Sequence, residues 1–293
     1  MKIALCLSGY YNSIKDSLSF GDDGFSHIKK HILKYSEEGY EIDVFFHNWE
    51  PHLESKITDL YKPKAYITEA QIDFNQIAED NQVSRKFIDE HNKLGSWTMT
   101  SRTGGGYVGP ERILSQFYSI QKSFELKKKY EEENDFSYDC AIKARFDLGR
   151  INRLTSGPGK INPYPCQCIK FDPELDMNYF YQAYWDLFNE GPADMWFYSS
   201  SSNMNNFCNF YTKTLTEYLQ RESEYSKRVV EGWPESSCNN FRTNEIFKPK
   251  NKQSKDLHKY EPYLAVNGIL LHKWFLMDHG LWEKAKALHS KWE

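Results

Sequence analysis

Short apolar runs that alternate with helical patterns are the feature of this sequence that most constrains its fold. The runs are KIALCL at residues 2–7, IDVFFH at 42–47 and YDCAIKARFD at 138–147. Between them, apolar residues recur at helical spacing, first at Ile28, Ile32 and Tyr35, and later at Ile113, Phe117, Ile120 and Phe124. Strands that are buried on both faces are apolar along their length, and strands that alternate with helices form parallel sheets. We therefore expect an α/β fold with a mostly parallel sheet flanked by helices.

The second half of the chain has a less regular pattern. It predicts short strands in KAYIT after Pro63, near the end of 158–171 and in DMWFYS at 194–199. It also predicts a helix from Asn203 to about Gln220, with Asn203 as its N-cap, and a C-terminal helix or helix pair over Val266–Leu288, broken near Gly280. We expect residues 70–109 and 231–262 to be irregular. A chain of 293 residues without repeats or a low-complexity linker is long enough for one large domain.

The bulk composition argues against several classes of partner. A formal net charge of −4 gives no general attraction for nucleic acid, so we expect no nucleic-acid partner. No window approaches the roughly 18 apolar residues that span a membrane, and the apolar run in MKIALCLSG is too short for a signal peptide. Six cysteines fit unpaired thiols in a reducing compartment, although Cys166 and Cys168 form a C-x-C pair that leaves zinc open as an alternative. We therefore expect a cytoplasmic protein without a transmembrane segment.

Polar residues follow three of the predicted strands directly. They are Ser8, Gly9 and Tyr10 after the first strand, His47, Asn48 and Trp49 after the second, and Arg145 and Asp147 at the end of the strand within 138–147. Ligands of open parallel sheets bind outside the carboxyl ends of the strands, so these residues predict the site. No G-x-G-x-x-G follows the first strand and no G-x-x-x-x-G-K-[ST] occurs in the chain, which disfavours a dinucleotide-binding dehydrogenase and a P-loop NTPase.

Arg145 and Asp147 are two residues apart in an extended segment and therefore lie on the same face of the strand. Two interpretations of the pair are open. Asp147 can hold a divalent cation that bridges a diphosphate, while Arg145 neutralises phosphate. Alternatively, the two side chains form an ion pair that closes the strand.

Several of these segments, taken in order, resemble one enzyme family. CLSGYYNS after the first strand, DVFFHNW, the helix SQFYSIQKSFELKKKYE, YDCAIKARFDL and DMWFYSSSSNMNNFCNFY look like the small GT-A-type glycosyltransferases of bacterial surface-polysaccharide clusters and large DNA viruses. The match touches roughly two thirds of the chain. It implies a GT-A-like, Rossmann-like domain over 1–293, with a nucleotide-sugar-binding half at 1–150 and an acceptor-side half at 151–293. The implied activity is transfer of a sugar from a nucleotide-sugar donor, UDP- or GDP-linked, to a hydroxyl of a glycan acceptor.

The resemblance also implies roles for individual residues. In this family a D-x-D motif ends a central strand and carries Mn or Mg, whereas here the matching place reads Arg145-Phe146-Asp147. Asp147 is then the expected metal ligand, with His272 as a distant second ligand; the alternative is that Arg145 takes over part of the charge neutralisation that the cation would supply. Ser8, Gly9, Tyr10 and Arg102 are expected to contact the nucleotide and its phosphates, and a loop at 104–106 (GGG) to close over the ligand.

Asp194 is the expected catalytic base if the enzyme inverts, with a capping role as its alternative. Glu245, Asp278 and His279 are reserves for that role. Trp49 and Trp196 have the shape to stack on a sugar, with core packing as the alternative. Two other functions stay open: a sugar nucleotidyltransferase, disfavoured because no glycine-rich basic signature follows the first strand, and a non-catalytic carbohydrate-binding or assembly protein.

Overall fold

A computed structural model describes residues 1–12, 20–83, 110–149, 165–184, 191–220, 222–225, 227 and 268–288. The strands are β1 (Lys2–Gly9), β2 (Glu41–Asn48), β3 (Ala65–Thr68), β4 (Cys140–Arg145), β5 (Phe180–Ala183), β6 (Trp196–Ser199) and β7 (Ala285–Leu288). The helices are α1 (Phe20–His31), α2 (Glu54–Tyr61), α3 (Phe74–Asp80), α4 (Pro110–Glu133), α5 (Ser201–Met204), α6 (Phe210–Lys213) and α7 (Gly268–Asp278).

The seven strands form one mixed sheet in the order β3-β2-β1-β4-β6-β5-β7. The first four strands of that order are all parallel to one another. β6 runs antiparallel to both of its neighbours, and β7 is parallel to β5. The expected α/β fold with a mostly parallel sheet is therefore confirmed at this level, because strands separated by helices return in the same direction.

Apolar side chains fill both faces of the sheet. On one face, Ala4 and Cys6 of β1 pack with α4, whose buried side chains include Phe117 and Phe124, and with α7. On the other face, Leu5 of β1 and its neighbours pack against α1 and α2. Period-two alternation along β1 divides its side chains between these two layers, which explains why the strand is apolar throughout.

The sequence placed the strands of the first half correctly but missed several elements. α3 lies within 70–109, where we expected irregular structure, and its N-cap Asp73 accepts backbone N–H bonds from Asn75 and Gln76. β5 was not predicted, and β7 lies within 266–288, where we expected a helix or helix pair. Residues 165–171 form a 3-10 turn at Pro165–Gln167 and no strand. The cap of the helical segment after β6 is Ser200 and not Asn203, because the hydroxyl of Ser200 accepts from the Asn203 N–H.

No helix in the described ranges is long and apolar enough to cross a membrane. The cysteines within those ranges are free thiols. The predicted loops at 104–106 and 231–262 lie outside the described residues.

Candidate functional site

The order of the strands reverses between β1 and β4. From β1 the chain moves outward through β2 to β3 and then returns to the other side of β1 as β4. Loops that leave the two strands in opposite directions open a crevice beyond their carboxyl ends, where ligands of α/β proteins bind. This point of the sheet is therefore the place to look for a site.

Three predicted polar residues form a row across the carboxyl ends of neighbouring strands. Ser8 of β1 is paired in register with His47 of β2 on one side and with Arg145 of β4 on the other. Residues directly opposite each other in a sheet share a face. Because Cys6, two residues before Ser8, packs on the α4 side, the whole row faces α4.

Arg145 donates hydrogen bonds to both carboxylate oxygens of Asp147. Its Nε donates to Oδ1 at 2.8 Å and its Nη2 donates to Oδ2 at 2.7 Å. The Arg145 side chain is 31% exposed and that of Asp147 is 15% exposed, so the pair is at the rim of the protein and is not sealed inside it. Burial opposes the guanidinium charge, but the neighbouring carboxylates raise the pKa of Arg145 above its ordinary value. Arg145 is thus a permanent cation at the end of β4.

Asp194 joins this pair because β6 is antiparallel. The amino end of β6 lies beside the carboxyl end of β4, and the Arg145 N–H donates to the Met195 carbonyl at 3.2 Å. One oxygen of Asp194, Oδ2, accepts from Arg145 Nη1 at 3.0 Å and from Gln116 Nε2 of α4 at 2.7 Å. Burial alone raises the pKa of Asp194, but Arg145, Lys143 and the Gln116 hydrogen bond bring it below the ordinary value. Asp194 is therefore ionised at neutral pH.

Two further titratable side chains are buried behind the rim. The ammonium of Lys143 contacts the backbone carbonyl of Asp194, and burial lowers the pKa of Lys143 to about 7. His272 of α7 lies against the rings of Phe117 and Phe210, with centroid distances of 4.9 and 4.6 Å. Burial lowers the pKa of His272 to about 3, so the imidazole is neutral.

The ring of His272 does not face solvent. Its Nδ1 donates to the Gly268 carbonyl at 2.8 Å, and its Nε2 is buried with no hydrogen-bond partner among the described residues. A metal ligand needs its lone pair directed at an ion that other ligands also reach. The geometry does not favour the predicted metal role of His272, which stays a prediction.

A hydrogen-bonded chain that the sequence did not reveal supports the end of β1. The Gly9 N–H donates to Ser119 Oγ of α4 at 2.7 Å, and Ser119 Oγ lies 2.8 Å from His47 Nδ1. His47 Nε2 in turn lies 2.9 Å from Glu69. Gly9 has φ +102°, a backbone conformation that glycine adopts without strain. The hydrogen bond to Ser119 therefore fixes a turn that depends on glycine at this position.

The turn after β4 is fixed by α1. A methyl group built at Gly24 of α1 would lie 1.7 Å from the carbonyl oxygen of Phe146. Gly149, at φ +69°, closes the same turn against the ring of His27. The backbone that carries Asp147 therefore rests directly on the backbone of α1.

The aromatic candidates differ in their surroundings. Tyr10 is half-buried, and its hydroxyl donates to Gln71 at 2.8 Å. Trp49 is buried and its ring stacks on Tyr118, 5.4 Å between centroids. Trp196 is fully buried and its Nε1 donates to the Cys168 carbonyl. Both tryptophans are core residues, so neither is placed to stack on a sugar.

Two of the remaining predicted residues, Asp278 and His279, are not part of this cluster. Asp278 accepts from Lys213 and Tyr218 at the end of α7, and His279 contacts the Phe275 carbonyl. Arg102, Glu245 and the glycines at 104–106 lie outside the described residues.

The donor set at the rim does not fit Mn or Mg. Divalent cations of this kind need carboxylate oxygens that are free to coordinate. Both oxygens of Asp147 and one oxygen of Asp194 are engaged by Arg145, which places a positive charge beside any ion. No group of three or more His, Cys, Asp or Glu side chains in the described ranges is arranged to hold a metal ion.

The sequence contained a partial signal for the buried members of the site. Lys143 interrupts the apolar run of β4, and a charge inside a central strand is unusual enough to point to a function or an ion-pair network. Gln116 and Ser119 gave no such signal, because polar residues are ordinary on a helix. Comparison of the chain with known protein families, characterised proteins and solved structures found no match.

Proposed function

We propose that this chain is a glycosyltransferase that moves a sugar from a nucleotide-sugar donor to a hydroxyl of a glycan. One observation carries the proposal: the ends of β1 and β4 meet at the switch point of the sheet, where Ser8 and Gly9 lie beside Arg145 and its two carboxylates. This is where α/β sheets bind nucleotides. The resemblance of the segments around these residues to GT-A-type enzymes suggests the reaction.

In the proposed reaction, the bond between the anomeric carbon of the sugar and the donor phosphate breaks. The nucleotide diphosphate leaves with the electron pair, and a new bond forms between the anomeric carbon and the acceptor oxygen. The acceptor hydroxyl loses its proton to Asp194. Asp194 suits this step because it is ionised, 31% exposed and leaves Oδ1 without a hydrogen bond from the described residues.

The donor would lie across the end of β1. Gly9 offers a backbone surface with no side chain above it, since a methyl group built there would meet nothing within 4 Å. Tyr10 is held beside it by Gln71, and its half-buried ring is suited to packing on a nucleobase. The Arg145 guanidinium would donate hydrogen bonds to the oxygens of the diphosphate.

The experiment that tests the proposal has two stages. Thermal unfolding with UDP, GDP and CMP detects binding, because a ligand of the folded state raises the melting temperature. Donor hydrolysis and transfer are then measured for Asp194→Asn, which keeps the shape of the side chain. We expect a loss of turnover on the order of 10²-fold or more, as for removal of a general base.

Asp278→Asn is the matched control, since Asp278 is likewise held by two donors but lies at the end of α7. Its turnover should equal that of the native chain. If no nucleotide shifts the melting temperature, the transferase proposal fails. If nucleotide binds and Asp194→Asn turns over normally, Asp194 is not the base; nucleotide or sugar binding without any turnover favours the non-catalytic alternative.

A further inference from the structure

We infer that Arg145 itself supplies the positive charge that faces the donor diphosphate, with no divalent cation between the chain and the phosphates. This inference rests on the proposed function and concerns how the same site recognises its anionic substrate. It departs from the expectation that Asp147 carries Mn or Mg.

The two carboxylates beside Arg145 are already engaged by hydrogen bonds. Asp147 presents both oxygens to Arg145 in a bidentate pair, and Asp194 uses Oδ2 for Arg145 and Gln116. For Asp147 to coordinate a cation, the bidentate pair would have to break and leave the guanidinium without its partner at the rim. Separating such a pair is costly where it is partly desolvated. The carboxylates are therefore used to position Arg145.

Arg145 has further N–H groups that do not bond to the two carboxylates. Its contacts with Asp147 and Asp194 use Nε, one N–H of Nη2 and one N–H of Nη1. The second N–H of each terminal nitrogen has no partner among the described residues. Both donors lie in the plane of the guanidinium, whose N–H groups pair well with the oxygens of a phosphate, and the side chain is 31% exposed.

The guanidinium of Arg145 is held rigidly. Asp147 holds the guanidinium from one side and Asp194 from another, so its plane is fixed before any ligand binds. The turn that carries Asp147 rests on Gly24 of α1. A guanidinium that is already oriented loses little conformational entropy when it binds an anion. It therefore binds the anion more tightly than a mobile side chain of the same charge.

The charges around Arg145 are balanced when Lys143 is protonated. Arg145 and Lys143 face Asp147 and Asp194, so two cations meet two carboxylates when Lys143 is protonated. The neutral imidazole of His272 adds nothing to this balance. With Lys143 protonated, the cluster has no net charge that would repel a diphosphate at the exposed edge of Arg145.

The test is the binding of UDP and GDP, measured by calorimetry in EDTA and again in Mn. The native chain should bind at least one of them with the same affinity in both buffers. Arg145→Lys keeps a positive charge, so the carboxylates are not left unpaired, but it loses the planar guanidinium and its N–H donors. We expect that variant to bind about 10- to 100-fold more weakly in EDTA.

Asp147→Asn separates the two interpretations of this pair by how its binding depends on metal. The substitution removes one support of Arg145 but, under the inference, no metal ligand, so nucleotide binding by the variant should be the same in EDTA and in Mn. If Asp147 is a metal ligand, EDTA abolishes binding by the native chain, and Mn no longer strengthens binding once Asp147 is replaced; loss of native binding in EDTA overturns the inference while leaving the proposed function intact. Failure of the native chain to bind UDP or GDP in both buffers overturns the inference, and the proposed function fails with it when CMP does not bind either.

Discussion

At the scale of single residues, Lys143 is an unusual side chain in the part of the chain that the structure describes. It is fully buried in β4, with Asp194, Arg145, Asp147 and His272 as its charged or titratable surroundings. Its nitrogen also lies 5.4 Å from the centre of the Phe197 ring. An amine in such a place destabilises the folded state in proportion to how strongly burial disfavours its charge.

Replacing Lys143 with methionine should stabilise the protein in a pH-dependent way. The pKa of Lys143 is about 7 in the folded chain, against an ordinary value of 10.5 in the unfolded chain. Between these values the unfolded chain binds more protons, so the native protein gains stability as the pH rises through that window. The advantage of Lys143→Met should be greatest at or below pH 7, at several kcal/mol, and should shrink toward pH 10.

Urea unfolding of both proteins at a series of pH values measures this difference. Lys62→Met is the control, because the Lys62 side chain is 75% exposed. Its effect should be small at every pH. An advantage of Lys143→Met that does not vary with pH would show that Lys143 stays protonated in the folded chain.

At the scale of secondary-structure elements, two contacts assemble the site. The reversed direction of β6 brings Asp194 to the end of β4, where it meets Arg145. The close approach of α1 then sets the position of the turn at 146–149, since Gly24 leaves no space above the Phe146 carbonyl. The geometry of the rim therefore depends on helix packing as well as on the strands.

Gly24→Ala should disturb this arrangement. Alanine favours a helix over glycine by about 1 kcal/mol, but the added methyl group must displace backbone, and such overpacking costs about 1–3 kcal/mol. We expect a net loss of stability in urea unfolding, together with weaker nucleotide binding if the proposed function holds.

Gly268→Ala is the matched substitution in α7. A methyl group built there would lie 3.7 Å from Ile113, an ordinary contact distance. This variant should be as stable as the native chain or slightly more stable. Equal stability of Gly24→Ala and Gly268→Ala would show that α1 can move away from the turn without cost.

At the scale of the whole molecule, burial falls from the centre of the sheet to its edges. β1 and β4 are buried along almost their whole length, whereas β3 and β7, at the two edges, are only partly buried. Central strands are also hydrogen-bonded on both sides. Local opening should therefore begin at the edges.

Amide hydrogen exchange followed by mass spectrometry should reproduce this gradient. We expect the amides of β1 and β4 to exchange most slowly and those of β3 and β7 to exchange faster, because edge strands open without breaking the central pairs. Protection of β7 equal to that of β1 would contradict the expectation and would indicate that the edge is covered.

Much of this fold was predictable, because its cause is local. The runs around Leu5, Phe45 and Ile142 are apolar since β1, β2 and β4 are buried on both faces, and that requirement is written in adjacent residues. The stripe along α4 was predictable for the same reason. β5 and β7 escaped prediction, although β3 and β6 are equally short. β7 lies at the end of 266–288, where the pattern predicted a helix, and it is a strand because it pairs with β5.

The candidate site was predictable only in part. That Ser8 and Arg145 would meet followed from the rule that ligands gather at the carboxyl ends of parallel strands, and the register confirms their pairing. That Asp194 would join them did not follow, because the direction of β6 depends on pairing between segments 49 residues apart in the chain. Gln116 and Ser119 of α4 are even more distant in sequence from their partners, at 78 residues from Asp194 and 72 residues from His47.

The sequence thus determined the strands β1 to β4 and β6, the helices α1 and α4, and the polar side chains at the strand ends, because periodicity and chain order are properties of neighbouring residues. Only the tertiary structure decided that Asp147 gives both oxygens to Arg145, that β6 delivers Asp194 to the same guanidinium, and that Lys143 is sealed behind them. These are contacts between distant segments, and their geometry exists only once helices and sheet have packed together.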